Sequence, residues 1–76
     1  GAYYFYASTG GYGASGVPDI VACYKGNFIG IECKANGNKP TALQNKHLYD
    51  IKKAQGYSMV IDETDIDALE LFLGTL

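Results

Sequence analysis

The sequence predicts a small α/β fold: a mixed β-sheet with helices packed on it, in the order β-β-β-α-β-α. Three observations predict it. The first half holds short runs rich in aromatic and β-branched residues, punctuated by glycine, proline and asparagine. The stretch 41–55 begins and ends with helix signals. That helix joins two strand-like runs as a right-handed crossover does, which makes those strands parallel. At 76 residues the chain is one domain, spanning 1–76.

Each element follows in order. Tyr3–Ser8 is aromatic and reads as the first strand. Thr9–Gly16 contains four glycines and reads as a loop. Pro18–Tyr24 is the second strand, with proline tolerated as its first residue. Lys25-Gly26-Asn27 is a hairpin turn into Phe28–Ala35, the third strand, antiparallel to the second. After a loop at Asn36–Pro40, Thr41–Gln55 is a helix. Thr41 and Gln44 match a capping box, and Gly56 is the stop. Tyr57–Asp62 is the fourth strand. Thr64–Leu73 is a short helix, opened by Thr64 and closed by Gly74.

Hydrophobic residues make up 47% and charged residues 18%, the balance of a folded domain rather than a disordered tail. A chain this short buries little more than about 60% of its unfolded surface, so a partner or a further segment is expected to complete its core. No apolar run approaches the roughly 18 residues of a membrane span. The start of the chain lacks the basic and apolar signature of a secretory signal. Cys23 and Cys33 lie in apolar stretches outside any metal-ligand spacing. They are expected to be buried free thiols in a reducing compartment such as the cytoplasm; a cross-strand disulfide is the alternative.

The net charge of −2 argues against a purely electrostatic nucleic-acid binder, but its distribution is uneven. Residues 25–53 carry all six lysines against Glu32 and Asp50, a net +4. Residues 54–76 carry five acids and no base. Two solvated faces, or a basic binding surface and an acidic one, both fit this pattern.

Gly11-Tyr12-Gly13-Ala14-Ser15-Gly16 matches G-x-G-x-x-G, a dinucleotide fingerprint that works only at a helix N-terminus. Val17-Pro18-Asp19 instead leads into a strand, so nucleotide binding is rejected. The chemistry-bearing set is Asp19, Glu32 and Lys34. Side chains alternate along a strand, so Glu32 and Lys34 share a face while Ile31 and Cys33 oppose them. A short hairpin then brings Asp19 beside both. Two hard carboxylates suit Mg²⁺ with room left for water and phosphate, and a nearby lysine can orient the water. A cross-strand ion pair is the plainer reading of the same residues. At about 100° per residue, Gln44 falls on the sheet-facing arc of the helix with Leu43, His47, Leu48, Ile51, Ala54 and Gln55. Its capping role competes for the same side chain. His47 reads as a boundary residue rather than a catalytic base.

Gly16-Val17-Pro18-Asp19, then Glu32-Cys33-Lys34 after twelve intervening residues, then Gln44 on the next helix, resembles the PD-(D/E)XK nuclease superfamily. The form G-x-P-D…E-x-K…Q is most similar to its virus-type replication-repair nuclease (VRR-NUC) domains, over Gly16 to about Val60. The resemblance implies a restriction-endonuclease-like sheet core and Mg²⁺- or Mn²⁺-dependent hydrolysis of DNA phosphodiesters. It implies Asp19, Glu32 and the Cys33 carbonyl as metal ligands, Lys34 as the residue that positions water, and Gln44 as support. It also implies branched or junction DNA as substrate and a homodimer as the working form. The family's N-terminal helix, with its acidic residue, has no counterpart ahead of Tyr3. A non-catalytic DNA-binding module of the same fold and a partner-docking domain are the rival expectations.

Overall fold

The computed structural model describes residues 1–7, 16–35, 38–62 and 64–76. Strands β1 (Tyr3–Tyr6), β2 (Ile20–Tyr24) and β3 (Asn27–Cys33) precede helix α1 (Ala42–Lys53); strand β4 (Tyr57–Ile61) and helix α2 (Ile66–Gly74) follow. The sheet order is β1-β2-β3-β4, antiparallel except for the parallel pair β3 and β4. The chain is therefore an α/β protein with a four-stranded mixed sheet and two helices, in the expected order. Most of the glycine loop lies outside the described residues.

The hairpin is tighter than the expected three-residue turn. Lys25 and Gly26 alone connect β2 to β3, both with positive φ, 52° and 79°. Paired positive φ values give the loop the twist that flanking strands require. This turn sets Tyr24 opposite Asn27, and the register then runs to Ile20 opposite Ile31. The next position places Asp19 opposite Glu32.

Alternation along the strands sorts the side chains into two layers. Ile29, Ile31, Met59 and Ile61 face α2, packed with Leu69, Phe72 and Leu73. Gly30, Glu32 and Ser58 face α1. Leu48 is the one residue of α1 that is fully buried, and Ser58 donates a 2.7 Å hydrogen bond to its carbonyl. The helix face is thus narrower than the predicted seven-residue arc: Ala54 and Gln55 are exposed.

Several boundaries differ from expectation for physical reasons. Pro18 lies outside β2, since it has no N–H to give the ladder. Helix α1 starts at Ala42 because Thr41 is its N-cap, with both halves of the capping box present. Helix α2 starts at Ile66 rather than Thr64. The Thr64 hydroxyl and amide both donate to Asp62 instead, at 2.6 and 2.7 Å. Cys23 and Cys33 are free but exposed rather than buried. Cys23 faces the α1 side beyond the helix's cover, and Cys33 ends its strand.

Gly30 is the contact that lets α1 approach the sheet. A Cβ there would lie 2.7 Å from Ile51 Cδ1 and 3.0 Å from Pro18 Cγ. Gly30→Ala is expected to cost about 1–3 kcal/mol by overpacking, read as a lower urea midpoint. Ile51→Val removes the nearer clashing atom, so the double variant should recover more stability than additivity allows. Strict additivity would show that Gly30 does not set the approach.

Candidate active site at the end of the β2–β3 hairpin

Three features bring Asp19, Glu32 and Lys34 together. The two-residue turn sets the register, the proline ends the ladder, and alternation turns Glu32 toward α1. Glu32 is 1% exposed, one of two large side chains buried to that degree among the described residues. Its Oε1 accepts from the Asp19 amide at 3.3 Å. Its Oε2 lies 3.5 Å from Lys34 Nζ, too poorly placed for a hydrogen bond. Among the described residues, Glu32 Oε2 is buried with no hydrogen-bond partner.

Asp19 is more exposed, and its Oδ2 accepts from the Cys33 amide at 2.9 Å. Pro18 interrupts the ladder here, and the Asp19 carboxylate takes up the Cys33 N–H beside that break. In an extended strand the N–H and C=O of one residue point to the same side, so the Cys33 carbonyl is directed toward Asp19 as well. The oxygens of Asp19, Glu32 and Cys33 thus converge on one corner of the sheet, with Lys34 beside them.

Electrostatics follow from this crowding. Burial is the main force pushing the Glu32 carboxyl above the ordinary carboxylate range, and the Asp19 charge adds to it. Lys34 and the Asp19 amide pull the other way. The Cys33 thiol is also pushed up, by partial desolvation and then by the Asp19 and Glu32 charges. It is therefore a neutral thiol, and a hard cation here would meet oxygen rather than sulfur.

The structure places Gln44 differently from the other four. Its Oε1 accepts from the Thr41 amide at 2.8 Å, and its own amide donates to Thr41 Oγ1 at 3.2 Å. The capping box takes the side-chain oxygen, so the inward-pointing expectation yields to the capping one. Gln44 still borders the site's approach: a Cβ on Gly16, whose φ is +81°, would lie 3.2 Å from the Gln44 amide nitrogen and 2.7 Å from Leu43 Cγ. Sequence reasoning missed the roles of the Asp19 and Cys33 amides, because amide partners depend on where a ladder breaks. Pro18 was the available signal.

A cavity of about 600 Å³ runs along β4 and α2 past Met59, Leu69 and Phe72. It contains none of these site groups. A smaller one of about 320 Å³ reaches Cys33 and Lys34 from the side of Asp62.

The raised Glu32 pKa has a signed consequence. As pH rises from the acid range, the unfolded carboxyl ionises first while the native one keeps its proton, so stability falls through the raised value. Asp50, held low by the Lys46 hydrogen bond, and Asp62, held low by the Thr64 hydroxyl, act in the opposite direction. Their stabilisation is lost as pH falls. Glu32→Gln should therefore remove a loss of stability on going to neutral pH in chelator, measured by urea unfolding against wild type. Equal pH slopes for the two proteins would contradict the raised value. Comparison with models of known families, with curated proteins and with solved structures finds no match to this chain.

Proposed function

We propose that this chain is the core of a divalent-metal-dependent endonuclease that hydrolyses DNA phosphodiester bonds, of the VRR-NUC type and with a restriction-endonuclease-like sheet. Branched or junction DNA is the proposed substrate. One observation carries the reading: a buried carboxylate oxygen, Glu32 Oε2, has no hydrogen-bond partner among the described residues and sits beside a second carboxylate. An unpartnered buried oxygen costs free energy unless a cation or a proton meets it. The donor set is hard and oxygen-rich, which fits Mg²⁺ or Mn²⁺ better than a soft metal.

In this reading Asp19, Glu32 and the Cys33 carbonyl hold the ion. A bound Mg²⁺ or Mn²⁺ supplies Lewis-acid polarisation of a phosphodiester. Lys34 orients the attacking water and offsets charge that develops on the phosphate. Asp19 is the better hydrated of the two carboxylates, and its bond to the Cys33 amide fixes its orientation. Gln44 acts at one remove, by fixing the start of α1 against Gly16. Lys39, Lys52 and Lys53 are exposed on and before α1, the layer that covers the site, and they form the phosphate-binding surface with Lys46, which is also paired with Asp50 at 2.7 Å. Lys25 is tied at 2.9 Å to the Leu76 carbonyl instead. The acidic segment lies around α2, in the opposite layer. The 3.5 Å contact of Glu32 with Lys34 would also serve a non-catalytic DNA-binding module, and metal dependence separates the two.

The test combines thermal unfolding with cleavage of a four-way junction and a matched duplex. An ion at ten times its Kd adds about 1.4 kcal/mol of stability, several degrees in melting temperature for a chain this size. Mn²⁺ should raise the melting temperature of wild type and of Lys34→Ala, but not of Asp19→Asn. Lys34→Ala should lose cleavage by roughly 100-fold or more. No metal-dependent shift and no cleavage at millimolar Mn²⁺ would defeat the reading.

A further inference from the structure

Strand β1 ends the sheet, and all four of its side chains are aromatic and exposed: Tyr3 71%, Tyr4 58%, Phe5 48% and Tyr6 73%. Proteins guard edge strands with lysine, proline, bulges or inward charges. Residues 3–6 contain none of these. Tyr3 and Phe5 lie on the α1 face, with ring centroids 6.3 Å apart. Tyr4 and Tyr6 lie on the α2 face, 6.1 Å apart. Neither α1 nor α2 covers its pair.

The ladder shows which backbone groups are free. The Ala7 amide donates to the Asp19 carbonyl at 2.8 Å, and β1 pairs with β2 at Phe5–Val21 and Tyr3–Cys23. Hydrogen-bonded pairs recur at every second residue of an antiparallel ladder. Residues 3, 5 and 7 therefore turn their N–H and C=O groups toward β2, while Tyr4 and Tyr6 turn theirs outward.

We propose that two copies of this chain join edge to edge through β1, antiparallel, about a two-fold axis at Phe5. This register alone sets Tyr4 opposite Tyr6 of the second copy twice over, so that all the outward groups of both residues bond. It sets Phe5 against its own symmetry mate on the α1 face, with no charge of either sign to repel. A second copy satisfies both aromatic faces and the edge at once; a ligand on one face would satisfy only one pair of rings. Aromatic side chains present about 150–250 Å² each. Eight rings at the observed exposures bound the buried apolar area near 1,000 Å², the lower end of specific interfaces. With about 4.8 Å between strands and about 3.4 Å per residue, the two Asp19–Glu32 corners fall about 20–25 Å apart. Both open on the same face of an eight-stranded sheet. The pairing itself does not depend on a metal or on nuclease activity.

The test is sedimentation of the intact chain together with cysteine cross-linking. Wild type should show a mass near twice the 8.2 kDa of one chain at tens of micromolar. Tyr4→Pro should be monomeric with an unchanged circular dichroism spectrum, because the N–H it removes points away from β2. In a background with Cys23→Ser and Cys33→Ser, Phe5→Cys should cross-link under diamide. Facing residues at a non-hydrogen-bonded pair lie within disulfide reach. Tyr3→Cys, set opposite Ala7 of the other copy, should not. A monomer at about 100 µM would overturn the proposal and leave the aromatic face to another kind of partner. Cross-linking of Tyr3→Cys as fast as Phe5→Cys, or no cross-linking of either, would overturn the register.

Discussion

The Glu32 carboxylate is almost wholly removed from water, and the arrangement of the molecule around it follows from that single constraint. Burying a carboxyl group costs several kcal/mol unless its oxygens find partners. One oxygen has the Asp19 amide. The other has an ion-pair partner at 3.5 Å and no hydrogen bond. A group in that state keeps its proton or attracts a cation.

The rest of the fold can be traced to what keeps Glu32 there. Glycine at position 30 lets α1 lie close enough to cover it, and Pro18 packs against the same point. Proline also ends the β2 ladder where Asp19 must turn its carboxylate to the Cys33 amide. The two-residue turn sets the register that makes Asp19 and Glu32 neighbours. On the other face, α2 covers the Ile29–Ile31 core without any fully buried residue of its own. Two helices on a four-stranded sheet leave the outer strand uncovered on both sides, which is why the aromatic edge and the buried acid belong to one economical design.

Much of this was legible in the residues. Capping signals at Thr41 and Gln44, the turn at Lys25-Gly26 and the crossover each rest on local chemistry, and they placed the elements within one or two residues. Glu32 on the face opposite Ile31 followed from strand alternation alone. Exposure was less legible. Cys23 sits in an apolar stretch, yet it is exposed because a twelve-residue helix covers only part of a sheet; Leu43, read as sheet-facing, is exposed in the first turn of that helix. Gln44 had two uses for one side chain, and local hydrogen bonding decided between them. The unbonded oxygen of Glu32 was not legible, since it depends on where the Lys34 side chain lies in space, 3.5 Å away.

The most direct test of this account is the titration of the Glu32 side-chain carboxyl, followed by carbon NMR in chelator and again with Mg²⁺. The account predicts a midpoint above the ordinary carboxylate value in chelator. With Mg²⁺ the midpoint should fall well below it, because the ion favours the charged form. An ordinary midpoint in chelator, or one that Mg²⁺ leaves unmoved at millimolar concentration, would contradict it.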